Sequence, residues 1–216
     1  MVDGRAVPAA QSLAVGDVPK AGLARAPKGM VGSDVLARFG AIRVDYHSGH
    51  LLLLRSEATA PAANTYVLGE ASAVPPAGLL KASSAEVSAP LRVFETPERI
   101  TVAASVTVAR HTEQLAVDTG SAASGLVPSV VTRLNLKAHG SKVGYAGVAC
   151  NGNGPTYSSG KWAVGGTSLR DAPLVTRPLA GSGNSGLQGV LGSDVLASHG
   201  SVIVDYSGAH LWLTTG

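Results

Sequence analysis

The sequence predicts an all-β protein, and three observations carry that prediction. Of 216 residues, 27 are glycine and 12 proline, and the apolar content comes in short valine-rich runs between these breakers, the pattern of short strands rather than long helices. Gly29 to Leu53 recurs without gaps at Gly189 to Leu213, a constant offset of 160 residues with 14 of 25 positions identical. Finally, the apolar run Leu115-Ala116-Val117 delivers Asp118 straight into Thr119-Gly120-Ser121, a setting in which a carboxylate is not a solubilising charge.

Composition narrows the class. A hydrophobic content of 45% is ample for a core, in one large domain or in a medium domain with a fragment. The net charge of +3 comes from scattered Lys and Arg with no basic cluster interleaved with aromatics, which argues against a nucleic-acid partner. Cys150 is the single cysteine, so neither an intrachain disulfide nor a cysteine-based zinc site can form. The six histidines are dispersed, and His47 and His50 fall across an expected turn, so neither a metal nor a cofactor is expected. No apolar run reaches the roughly eighteen residues of a membrane span, and residues 1 to 30 lack the basic-then-apolar pattern of a signal peptide. The chain therefore reads as soluble; an extracytoplasmic location would need a signal upstream of residue 1. The high Ala, Gly and Val usage points to a GC-rich bacterial genome.

In both copies of the repeat, Gly-Ser-Asp (Gly32 to Asp34, Gly192 to Asp194) is expected to N-cap a short helix that stops at Gly40 or Gly200. A strand through Val44 or Val204 follows, turns near Ser48-Gly49 or Ser207-Gly208, and returns through Leu51 to Leu54 or Leu211 to Leu213. Residues 1–55 thus read as the closing half of one lobe. Residues 56–90, rich in Ala, Pro and Ser, read as a linker with at most a short strand at Tyr66-Val67-Leu68. A complete unit occupies 91–216. Within it Ile100 to Ala109 alternates as a strand, His111-Thr112-Glu113 is expected as a tight turn, and Gln114 to Val117 returns to present Asp118. Ala123 to Leu136 is expected to hold one or two helical turns. Lys142 to Trp162, with Gly144, Gly147, Gly152, Gly154 and Gly160, has the makeup of a long hairpin.

Taken together, Asp118-Thr119-Gly120 behind an apolar strand, and Val190-Leu191-Gly192 about seventy positions later leading into Ser193-Asp194-Val195-Leu196, resemble the retropepsin-like aspartic proteases over the whole of residues 91–216. The resemblance implies a retropepsin-like acid-protease fold, a closed β-barrel-like lobe with one short helix at Gly192 to Gly200, here preceded by a partial second lobe. It implies Asp118 as the catalytic residue, with Thr119, Gly120 and Ser121 as its active-site loop. Tyr145, in the glycine-rich stretch, corresponds to the flap, and Val190, Leu191 and Gly192 to the strand beside the catalytic turn and its substrate cleft. Asp194 corresponds to a polar residue that supports the fold.

The implied chemistry needs two carboxylates about 3 Å apart that share one proton, because two like charges at that distance cannot both ionise. The ionised member takes a proton from an attacking water and the neutral member donates to the peptide carbonyl oxygen. Asp118 supplies one. A homodimer or a missing sister lobe would supply the other, and the substrate would be a polypeptide in extended conformation. The repeat puts the first lobe's aspartate before residue 1, so the chain is expected to begin inside the first of two tandem lobes, or to carry a degenerate half-lobe kept for packing. The alternative reading is a proteolytically inactive retropepsin-like module for peptide binding or assembly. Two competing patterns fail on context: Gly181 to Gly186 fits a dinucleotide fingerprint but opens no helix of sufficient length, and a Ser185 nucleophile with His111 or His199 would lack the Gly-x-Ser-x-Gly elbow.

Overall fold

The repeat organises the molecule. In the computed structural model, which describes residues 31–53, 66–68, 85–96, 99–146, 151–179 and 186–214, each copy forms a four-residue helix, one turn of 3-10 helix and a β-hairpin. The first copy contains α1 (Ser33–Leu36), β1 (Ala41–Asp45) and β2 (His50–Leu53). Between the copies lie β3 (Tyr66–Leu68), β4 (Ala85–Thr96), β5 (Arg99–Val108), β6 (His111–Val117), β7 (Gly125–Leu126) and α2 (Pro128–Arg133). They are followed by β8 (Ala138–Ala146), β9 (Asn151–Ser158), β10 (Trp162–Val164), β11 (Thr167–Ser168), β12 (Pro173–Thr176) and β13 (Gly189–Leu191). The second copy supplies α3 (Ser193–Leu196), β14 (Ser201–Asp205) and β15 (His210–Thr214). The protein is all-β, and no described helix is long and apolar enough to cross a membrane. Residues 1–30, most of the linker, Cys150 and the run 181–185 lie outside the described residues.

The two copies meet each other. β1 pairs antiparallel with β14, from Ala41 opposite Asp205 to Asp45 opposite Ser201. Arg43 faces Ile203, its own equivalent at the offset of 160, so a local two-fold axis passes through that pair. Contacts on either side obey the axis: the Tyr46 amide donates to the Gly200 carbonyl at 2.9 Å and the Tyr206 amide to the Gly40 carbonyl at 2.8 Å. The Tyr46 hydroxyl reaches Ser193 and the Tyr206 hydroxyl reaches Ser33.

From this centre the sheet runs β2-β1-β14-β15-β4-β5-β6-β13-β7-β12-β9-β8. The expected closed barrel is not formed: the hydrogen-bonded path ends at β2 on one side and β8 on the other, and β10 with β11 branches from β5 instead of sealing the gap. β4 links the two parts of the path. It begins at Ala85, inside the stretch expected as linker, and pairs with β15 up to Pro90 opposite His210. From Leu91 opposite Ala104 it pairs with β5. Proline, lacking an N–H, fits that changeover, and the Leu91 amide is taken by the Ala209 carbonyl at 2.8 Å. Leu91, Val93, Val102, Val106, Leu115, Leu126, Leu174, Leu191 and Leu196 pack beneath as a continuous core.

One local expectation is corrected. The β5–β6 turn is Ala109-Arg110, both at positive φ (47° and 72°), and not His111-Thr112-Glu113; Val108 faces His111 across a two-residue loop. Glu113 is therefore a strand residue, fully buried, with its Oε2 2.7 Å from the Arg133 guanidinium. The N-caps of the repeat helices are Gly32 and Gly192, within the expected Gly-Ser-Asp stretches; in the second copy Asp194 Oδ1 accepts the Val195 amide of the first turn as well as the Ser124 hydroxyl, and Ser193 donates to the Thr119 carbonyl.

Candidate active site

Asp118 stands where three strands converge. β13 runs parallel to β6, Gly189 beside Leu115 and Leu191 beside Val117, and antiparallel to β7. The chain leaves β6 at Val117, and the Asp118 amide donates to the Leu191 carbonyl at 3.0 Å, which fixes the backbone from which the carboxylate projects. The Ser121 amide closes the turn onto the Asp118 carbonyl at 3.1 Å, while the Gly120 amide donates to Asp118 Oδ1 at 3.0 Å. Asp118 itself is exposed, so the turn holds an accessible carboxylate by its own backbone. No other ionisable side chain among the described residues hydrogen-bonds it.

Beneath the turn lies a buried polar frame. Ser193 donates its amide to the Ser121 carbonyl at 2.7 Å and its hydroxyl to the Thr119 carbonyl at 2.6 Å, gripping the turn from both ends. The Gly192 amide donates to Ser124 Oγ at 2.9 Å; the Ser124 hydroxyl in turn donates to Asp194 Oδ1 at 2.6 Å, and its amide is shared by both Asp194 oxygens at 3.0 Å. A carboxylate receiving these donors locks the start of α3 to the strand entering β7. Gly192 is required sterically: a Cβ there would lie 2.8 Å from the Ser121 carbonyl oxygen and 2.9 Å from the Ala123 carbonyl carbon. Val190, Leu191 and Gly192 are buried and back the turn from below.

The first half of the repeat reaches into this frame. Tyr46 Oη lies 3.3 Å from Ser193 Oγ, one link from the Thr119 carbonyl. Burial raises the Tyr46 phenol above its usual value, the Ser193 hydrogen bond opposes this, and the Asp118 carboxylate adds to the rise. Tyr206 is raised in the same direction, by burial against the lowering hydrogen bond from Ser33.

β8 and β9 form the glycine-rich hairpin, from Ala138 opposite Tyr157 to Ala146 opposite Asn151, starting four residues earlier than expected. Tyr145 is half-buried and packs on Gly152, where a Cβ would lie 2.7 Å from its hydroxyl. The guanidinium of Arg177, which follows β12, lies 5.8 Å from the centre of the Tyr145 ring and donates from Nη1 to Ser121 Oγ at 3.1 Å. Thus Asp118, Thr119, Gly120 and Ser121 form one turn, with Val190, Leu191 and Gly192 under it; Tyr145 joins them only through Arg177. Sequence reasoning missed Arg177, Ser124 and Tyr46, whose contacts here span 56, 70 and 147 residues. Of these only Tyr46 carried a signal, its pairing with Tyr206 in the repeat. His111, the first residue of β6 and at the far end of that strand from Asp118, is exposed.

No protein-family model, curated protein or solved structure matches this chain. What fold and site define together is an all-β protein that presents one accessible aspartate on a turn braced by both halves of an internal repeat.

Proposed function

We propose that this protein is an aspartic-type endopeptidase of the retropepsin-like kind, in which Asp118 supplies one carboxylate of a dyad and a sister lobe or second chain supplies the other. The observation that carries the reading is the bracing of the Asp118-Thr119-Gly120 turn beside a local two-fold axis. Ser193, which holds Thr119, has its equivalent in Ser33, so a second Asp-Thr-Gly turn seated on Gly32-Ser33-Asp34 would face Asp118 as that axis requires. Both edges of β14 are already filled, by β1 and β15, which favours a sister lobe on the first half over a homodimer that repeats the β1–β14 pairing.

In that assembly the two carboxylates share a proton. The ionised one draws a proton from water as it attacks the peptide carbonyl, and the protonated one donates to the carbonyl oxygen. Gly120 keeps the turn tight and its amide holds Asp118 Oδ1, leaving the other oxygen for water. A polypeptide in extended conformation would lie between the turn and the β8–β9 hairpin. The second reading, a silent peptide-binding module, is favoured by the lack of a carboxylate partner for Asp118 among the described residues.

The test is cleavage of an unstructured protein from acid to neutral pH at high protein concentration, beside an Asp118→Asn variant. Cleavage lost in the variant is the expected result. Equal cleavage by both removes Asp118 from the chemistry, and no cleavage by either leaves the binding module.

A further inference from the structure

We infer that Arg177 is a specificity-determining residue that binds an acidic side chain, Asp or Glu, of an extended polypeptide next to the Asp118 turn. The inference rests on the proposed peptide site, and goes beyond it in naming the charge that site selects.

Arg177 is anomalous for its surroundings. It is 7% exposed, and among the described residues no carboxylate forms an ion pair with it. A guanidinium keeps its charge throughout the range in which proteins are folded, and a buried charge without a counter-ion is strongly unfavourable. The compensation on view is partial: one hydrogen bond from Nη1 to the Ser121 hydroxyl and the face of Tyr145, while Nε has no partner. An arginine that served only to brace Ser121 would leave its buried Nε without an acceptor among the described residues.

The position is that of a subsite. The Arg177 amide donates to the Leu126 carbonyl at 3.2 Å, anchoring the residue where β12 runs beside β7. From there the side chain extends to Ser121, the residue after Asp118-Thr119-Gly120, and under Tyr145 of the hairpin. The guanidinium therefore lies between Ser121 of the Asp118 turn and Tyr145 of the hairpin, the two walls of the proposed cleft. Tyr145, half-buried on β8, is the aromatic ring that packs on the guanidinium from the hairpin side.

The charge distribution points to the same ligand. From Thr119 to Ser193 the only acidic residue is Asp171, whose Oδ1 accepts the Ser159 hydroxyl at 3.0 Å. The same stretch carries Arg133, Lys137, Lys142, Lys161, Arg170 and Arg177. Arg133 is held by Glu113, and Lys161 and Arg170 lie beside Trp162, which pairs with Val108 at the far end of β5; of these cations Arg177 is the one that contacts the Asp118 turn, through Ser121. A carboxylate side chain entering this region gains a charge-assisted, fork-like partner in Arg177, whereas its amide analogue leaves the buried charge uncompensated.

The test uses binding, so it does not depend on turnover. End-blocked nonapeptides, apolar at the centre, carry Glu or Gln at each remaining position in turn and are titrated at pH 7 against the Asp118→Asn protein. The expected result is one position at which Glu binds roughly tenfold tighter than Gln, an advantage lost in Arg177→Met and partly kept in Arg177→Lys. Equal binding of Glu and Gln at every position overturns the inference, as does an advantage that survives Arg177→Met, a preference for a Gln peptide with a free C-terminus, or no peptide binding at all. The Glu–Gln comparison needs no Arg177 variant, so it stands even if Arg177→Met unfolds. Cleavage without acidic preference sinks this inference and spares the protease; acidic preference without cleavage does the reverse.

Discussion

Gly120 and Gly192 lie within one turn of the same carboxylate, yet a methyl group means something different at each. At Gly192 it would meet backbone on two sides, the Ser121 carbonyl oxygen and the Ala123 carbonyl, neither of which can retreat without opening the frame under the turn. At Gly120 it would meet only Asp118 Oδ1, at 3.3 Å, the free end of a side chain. Gly192→Ala is therefore expected to destabilise the fold by on the order of 3 kcal/mol, read by urea unfolding. Gly120→Ala should leave stability within about 1 kcal/mol, and on the proposed function lower cleavage on the order of a hundredfold by turning the carboxylate away from its setting. Comparable unfolding midpoints for the two would show that the frame relaxes more than its hydrogen bonds suggest. The same scale explains what sequence could not reveal here. Asp118 was legible because its neighbours in the chain define its turn, whereas Arg177, Ser124 and Tyr46 act on that turn across 56, 70 and 147 residues, with no local pattern to betray them.

At the scale of elements, the repeat was readable almost strand for strand, since both hairpins have short apolar runs on either side of a polar turn near Gly49 or Gly208. The helix caps lie in the expected Gly-Ser-Asp stretches, but a second use of their polar residues has no local signature: Asp194 takes the Ser124 amide and hydroxyl in addition to the Val195 amide because another segment packs on that helix. The β5–β6 turn was misplaced because Ala109 and Arg110 adopt left-handed backbone without glycine or asparagine to announce it. Tyr46 and Tyr206, each crossing to the other copy, make the joining of the elements sensitive to alkali. Both phenols are raised above 10.0, chiefly by burial, so the folded protein holds these protons when the unfolded chain has released them. Their contribution is complete below pH 10 and is lost as pH climbs through the folded-state values. Absorbance titration of tyrosinate should show a late component that Tyr46→Phe and Tyr206→Phe each diminish, and the melting temperature should fall faster with rising pH in the parent protein than in the double variant. A titration unchanged by either substitution would remove the cross-copy contacts from this account.

The whole molecule is unequal at its two ends. β15 is covered by β4, and Leu211 and Trp212 are 0% and 5% exposed; the matching residues on β2, Leu51 and Leu52, are 40% and 42% exposed on a strand that ends the sheet. Such an edge, apolar and unpaired among the described residues, is a template for further strand pairing. Leu51→Lys with Leu52→Glu is expected to leave the fold intact and to reduce concentration-dependent association in sedimentation velocity. A parent protein that remains monomeric throughout the concentration range would remove this edge as a route of assembly. The all-β class and the two repeat hairpins were legible in the sequence but the open sheet was not, because closure depends on which strands meet at the ends and neither end has a signature of its own.

Arg43 opposite Ile203 has one further implication. A residue on a two-fold axis between identical strands must face its own copy, and two arginines in that place would repel across a few ångströms. Here the axis position is held by different residues, a combination open only to a molecule whose halves are free to diverge. Once one copy carries arginine, it can no longer stand in for its twin. The first strand is a dedicated counterpart of the second, its Arg43 set opposite Ile203 where a copy of itself would repel it.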